Sequence, residues 1–363
     1  MSAAPHPRAT LPARAGAPDV AVARAAVVRV RRLREARLVA VTLTLAGLCF
    51  LVLCVSLSLG EIHIPLPDVV QSLFGGSDRR SRYIVTNLRL PRALTGVLAG
   101  LALGLAGAIF QTLVRNPLAT PDMIGITAGA SAAAVAGIVL FDLAGYALSV
   151  AALIGALATA LLIYALAWRR GVTGYRLVLV GIAMNALLTS VVSYLLTMTD
   201  IYDARQAFAW LVGSLTSSSW DTARTLGLCL AVLVPAALFA GRRLPVLQAG
   251  DEVARALGVP VERARAQLVV LAVALAAVAT AAVGPVGFVA FVAAPIARQL
   301  LPGEPAVLVP SALVGALVMT TADLAGQHAV PSMSYPVGVV TAVVGAPYLL
   351  WLLAVSNRSG RGG

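Results

Sequence analysis

RLPRALTGVLAGLALGLAGAIFQTLVRNPLATPDMIG, residues 89–125, contains an uncharged, largely apolar run from 93 to 114. About 20 such residues wound as a helix cross a hydrocarbon slab of ~30 Å, and a helix satisfies its own backbone where no water is present. Arginines flank the run on both sides, so the stretch reads as one membrane span. Within it, Gly96, Gly100 and Gly104 recur every four residues, followed by Gly107 and Ala108. Residues four apart share a helix face. Small residues on such a face let a neighbouring backbone approach closely, so packing is the expected role of this stripe.

Nine more runs of the same kind lie at 38–59, 122–141, 148–168, 175–198, 223–241, 266–284, 286–301, 306–326 and 337–355. The run at 286–301 is short and begins in a Gly-Pro-Val-Gly turn. Hydrophobic residues make up 60% of the chain and charged residues 12%, and the mean hydropathy is +0.91. A soluble domain lies nearer half apolar and a quarter charged. The expected fold is an all-α polytopic membrane protein with about ten transmembrane helices. Residues 1–37 form a basic tail, 38–356 the transmembrane domain and 357–363 a short C-terminal tail.

The net charge is +12, and all 27 basic residues are arginine. Eight of them (Arg8, Arg14, Arg24, Arg29, Arg31, Arg32, Arg34, Arg37) precede the first span. That bias holds the N-terminus in the cytoplasm, and ten spans return the C-terminus to the same side. Residues 19–37 are open to two readings, a basic helix on the membrane surface or an irregular tail. No nucleic-acid motif accompanies the charge. Five arginines of one external loop (Arg79, Arg80, Arg82, Arg89, Arg92) run against the positive-inside rule and call for an acidic partner outside.

Several chemistries are excluded. A Walker A loop needs a lysine on the β/γ-phosphates, and the chain has none. Cys49, Cys54 and Cys229 lack metal-ligand or disulfide-framework spacing, and His6, His63 and His328 form no pair, so no metal site and no catalytic residue is expected. No intramembrane carboxylate pair is available for a proton relay, which argues against an ion-driven carrier. Gly181, Asn185, Thr189 and Ser193 lie on one face of the fifth span. Interhelical hydrogen bonding and the lining of a polar pathway both explain that stripe. Between the sixth and seventh spans, Asp251 is placed to cap a short helix ending near Leu257, with Gly258 as its stop. Val253, Ala254 and Leu257 would give that helix a small apolar face suited to a partner's groove.

Four blocks, 89–125, GDEVARALGV (250–259), GPVGFVAFVAAPIARQL (284–300) and YPVGVVTAVVGAPYLLWLL (335–353), resemble the permeases of ABC importers for ferric siderophores, haem and cobalamin, in order and spacing, over about residues 40–355. The resemblance implies a type II ABC-importer permease fold, dimerising around a central pathway as a homo- or heterodimer. It implies two cytoplasmic ATPase subunits, which would carry the ATP and Mg, and a substrate-binding protein on the other face. Gly250, Asp251, Glu252, Ala254, Leu257 and Gly258 would couple to the ATPase. Arg89 and Arg92 would dock the binding protein, and Gly181, Asn185, Thr189 and Ser193 would line the pathway. Asn116, Pro117, Asp122, Gly125, Gly284, Pro285, Pro295, Arg298, Pro336, Gly338, Gly345 and Pro347 match structural positions of the motifs. The chain departs from many members at Ala290, Ile296 and Gln327, the last where a further outer arginine is common. The expected function is import of a ferric siderophore across the bacterial plasma membrane, with cobalamin or haem as the alternative cargo and a stand-alone carrier or channel as the rival class.

Overall fold

The chain is described by a computed structural model covering residues 20–76, 78–167, 174–329 and 333–359. Each expected apolar run is a helix: α1 (Val20–Ser58), α4 (Leu90–Val114), α5 (Ile126–Phe141), α6 (Gly145–Ala167), α7 (Gly174–Met198), α9 (Trp220–Gly241), α12 (Val261–Val283), α13 (Val289–Leu300), α14 (Leu308–His328) and α15 (Val337–Ser359). Connecting helices are α2 (Leu66–Phe74), α3 (Arg79–Tyr83), α8 (Ile201–Leu211), α10 (Leu244–Gln248) and α11 (Asp251–Ala256). A π-helical turn, Ile84–Arg89, joins α3 to α4 without a break. Among the described residues, seven helices are long and apolar enough to cross a membrane, while α5, α13 and the apolar part of α15 are shorter.

The glycine stripe explains what α4 does. A Cβ on Gly100 would stand 2.5 Å from the Gly315 carbonyl oxygen, and one on Gly107 would collide with that of Ala290. Backbone meets backbone along this seam, so α4 is clasped between α13 and α14. Around it α9, α12 and α14 complete a continuous core that includes Leu105, Leu268, Leu275 and Met319. A second core joins α5, α6 and α7 through Ile126, Val135, Ala156 and Ile163.

Three expectations change. The third span, expected from 122, starts later: Pro121–Ile124 is a 3-10 turn, Gly125 takes φ 73°, and α5 begins at Ile126. The span expected from 286 begins at Val289, because Gly284–Phe288 is irregular and Phe288 takes φ 67°. Finally, α1 starts at Val20 and runs through Arg37 into the membrane span without a break, so residues 20–37 are neither irregular nor a separate surface helix. Residues 1–19 and 360–363 of the two tails, with Arg8, Arg14 and Arg361, lie outside the described residues, as do Arg169 and Arg170.

Candidate functional site

The polar stripe of α7 divides into distinct roles. Gly181 is buried, and its carbonyl oxygen lies 3.5 Å from where a Cβ on Gly125 would stand. This contact seats the 116–125 segment about two turns into α7. Non-helical backbone at such depth is tolerated where protein buries it or a cavity adjoins it. Here a cavity does: about 680 Å³, lined by Thr120, Asp122, Thr127, Ser131, Asn185 and Thr189 among others. The Thr127 hydroxyl donates to Asp122 Oδ1. Asn185, Thr189 and Ser193 are exposed. Among the described residues, none of their side chains makes an interhelical hydrogen bond, so within the chain they are not helix-to-helix glue. Ser193 does not line this cavity; it lies further along the same exposed helix.

Sequence reasoning missed Thr120, Thr127 and Ser131, and it had placed Asp122 only as a motif position. It also missed a second cavity of about 830 Å³ between α6, α8, α9 and α12, lined by Ser149, Gln206, Trp210, Ser214, Thr216, Asp221 and Thr225. The hydroxyl run at 214–219 was the available signal for it.

The motif glycines and prolines form a junction drawn from distant parts of the chain. Gly284 (φ 76°) presses on the Trp210 carbonyl, where a Cβ would stand 2.6 Å away. The Pro285 carbonyl abuts Gly213. The Gly338 amide donates to the Gly213 carbonyl at 3.2 Å, and the Pro336 carbonyl starts α15. Gly345 seats against the Phe288 ring. Elsewhere, the Asn116 side chain accepts from the Leu118 amide at 2.9 Å, shaping the turn at Pro117. Pro295 lies inside α13 and Pro347 inside α15. Arg298 donates to Gln111 Oε1 (3.2 Å) and Thr112 Oγ1 (3.0 Å), and Gln111 donates to the Phe291 carbonyl. These residues tie α13 to α4.

The short segment after α9 presents a mixed face. Asp251 is the first residue of α11, not its cap: Gly250 (φ 114°) holds the cap position, and the Asp251 carboxylate pairs with Arg265 at 3.0 Å. Val253 and Leu257 point outward, at 47% and 66% exposure, but Ala254 is fully buried. The expected three-residue apolar face is therefore two residues outward and one inward. Glu252 is exposed, and Gly258 ends the helix at φ 79°. Arg115 donates to the Leu247 carbonyl at 2.8 Å and fixes α10 under α4.

Both arginines expected to dock a partner are engaged inside the chain. Arg89 donates to the carbonyls of Leu57 (2.8 Å) and Ser58 (3.0 Å), the last turn of α1, and to that of Ile62. A cation there satisfies otherwise orphaned helix-end acceptors. Arg92 forms an ion pair with Asp323 at 2.8 Å, with side chains 20% and 7% exposed. Gln327 donates to the same carboxylate at 2.8 Å. By contrast Arg79, Arg80 and Arg82 of α3 are exposed. Asp78 caps α3, and its carboxyl is held below the usual range by hydrogen bonds from the Ser81 side chain and amide.

Comparison with known proteins agrees with this architecture. The model of the FecCD transport family matches residues 48–355. The probable siderophore transport system permease protein YfhA of Bacillus subtilis is 37% identical over 327 residues, covering 88% of this chain and 95% of YfhA. The ferric enterobactin transport system permease protein FepG of Escherichia coli is 38% identical over 323 residues, covering 89% and 98%. A solved structure described as an inward-facing metal-chelate type ABC transporter superposes with a TM-score of 0.76 at 26% identity, covering 87% of this chain and 99% of its own. A lysine-free, multi-helix membrane chain that leaves ATP hydrolysis to a separate subunit and carries the four blocks in order thus belongs to the FecCD transport family, the permease subunits of ABC importers.

Proposed function

We propose that this permease imports a ferric siderophore across the plasma membrane, with both termini in the cytoplasm. The observation that carries the reading is the cavity beside Asn185 and Thr189, apolar over much of its wall but carrying the hydroxyls of Thr120, Thr127 and Ser131, on a helix face exposed at membrane depth. Polar groups at that depth face a partner helix or a water-filled passage. A second permease copy set against α7 would close the cavity into a pathway whose small hydroxyl and amide groups suit a large polar chelate. Siderophore, citrate and hydroxamate cargoes are named for the relatives, which favours an iron chelate over cobalamin or haem.

Energy would come from ATP and Mg held by two ATPase subunits seated on α10 and α11, with Val253 and Leu257 as the outward apolar contacts. The substrate-binding protein would sit at the opposite end. With Arg89 and Arg92 engaged internally, the exposed Arg79, Arg80 and Arg82 are the groups best placed to meet its acidic residues.

Uptake of labelled ferric siderophore by the reconstituted complex tests this reading. Asn185→Trp should cut uptake about tenfold or more by filling the passage, as misplacement in a fitted site does, while ATP hydrolysis continues. Leu257→Asp should abolish both, because a charge cannot be buried in the ATPase contact without cost. Full siderophore uptake by Asn185→Trp would remove α7 from the pathway. Loss of cobalamin or haem uptake alone in a deletion strain would overturn the cargo.

A further inference from the structure

The basic segment ahead of the first span builds a defined pocket at the membrane surface. From Leu38 to Ser58 the apolar part of α1 covers about 32 Å at 1.5 Å per residue, close to the ~30 Å of a hydrocarbon core. Arg37 therefore sits at headgroup level, with Arg34 one turn beyond. Val30, Leu33, Arg34 and Arg37 follow the i, i+3, i+4, i+7 spacing of a single helix face. That face turns toward the loop between α13 and α14, where with Leu301 and Glu304 it bounds a cavity of about 250 Å³. The Arg34 guanidinium lies over Gly303, 3.6 Å from where a Cβ would stand.

Among the described residues, neither Arg34 nor Arg37 has a hydrogen bond or ion pair, whereas Arg31, on another face, pairs with Glu35 at 2.9 Å. Two unpaired guanidinium groups at phosphate depth suit a phosphate, which arginine binds through paired N–H donors. A carboxylate in the same cavity would repel a purely anionic ligand but would hold an ammonium. Beyond the pocket, Leu48 and Leu51, eleven and fourteen residues after Arg37 and so on its side of α1, are exposed at 41% and 57%, and acyl chains can lie along them.

We propose that this cavity holds the headgroup of an aminophospholipid, with its phosphate between Arg34 and Arg37 and its ammonium on Glu304. An acidic segment of a partner protein fits less well, since Glu304 opposes it and the site lies at the membrane edge. The inference does not depend on which cargo is carried or which side faces the cytoplasm.

Native mass spectrometry of the full-length permease, delipidated and mixed with phosphatidylethanolamine, phosphatidylcholine or phosphatidylglycerol, provides the test. Phosphatidylethanolamine should be retained about fivefold more than the other two, the scale of one charge-assisted contact. Arg34→Gln with Arg37→Gln should remove that retention, Glu304→Gln should lower it to the phosphatidylcholine level, and Arg31→Gln should leave it unchanged. Soluble O-phosphoethanolamine, which lacks acyl chains, should not stabilise the protein to heat. Equal retention of the three lipids, unchanged retention in the double arginine variant, or stabilisation by O-phosphoethanolamine equal to that by the lipid would each overturn the proposal.

Discussion

Helices α4 and α7 have the same length, 25 residues, and both are apolar enough to span a bilayer. Yet 78% of the most apolar stretch around α4 is buried within the chain, against 11% for α7. Hydropathy cannot separate them, because lipid and protein interior are equally apolar. The pattern of small and polar residues does. On α4 the small residues fall on one face and admit neighbouring backbones. On α7 the polar residues fall on one face, and among the described residues no other helix offers them a side-chain hydrogen bond. One helix completes the scaffold, and the other is left for something outside the chain.

The sharpest way to break this contrast is to add a side chain to the seam. Gly107→Val would drive a branched side chain into the Ala290 carbonyl, and such overpacking costs about 3 kcal/mol or more. The expected outcome is loss of monodisperse protein on size-exclusion chromatography. A variant that purifies like the parent would mean that α4 is not clasped as described.

A smaller effect is expected from the ion pair at the far end of the same helix. Removing one partner of a buried pair costs about 3 kcal/mol. Arg92→Ala and Asp323→Ala should each lower the thermal midpoint in detergent, while the double variant should lose less than their sum. Strict additivity would show that the two residues stand apart in solution.

The smallest stability effect belongs to α7. Thr189→Ala with Asn185→Ala should shift stability by about 0.5 kcal/mol or less, as surface substitutions do, while uptake changes several-fold. A shift as large as that of the Arg92 variant would erase the contrast and turn the α7 face into scaffold.

The ten helices were readable because a bilayer converts apolar length directly into a span. Their ends were not. Gly125 and Phe288 adopt left-handed backbone conformations packed against distant helices; the glycines nearby hinted at breaks, but not at the residue where each helix resumes. The continuous run of α1 past Arg37 lay within helix propensity, since arginine and alanine are good helix formers, but flanking charge suggested a boundary. The Arg89 and Arg92 partners lie about 30 and 231 residues away in the chain, so an external basic cluster was legible and its division into engaged and exposed arginines was not. The α7 stripe was visible as a stripe. Its companions Thr120, Thr127 and Ser131 join it only because the 116–125 segment turns back into the bundle.

The backbone-on-backbone seam also bears on how such a chain can change over generations. At Gly100, Gly104 and Gly315 even one methyl group has no room, so neither helix can vary first and wait for the other to adjust. The α7 face has no such lock, and its residues can be exchanged singly without disturbing what holds the protein together. Under the pathway role proposed for α7, a lineage built this way can explore new cargoes on one helix while the frame stays fixed.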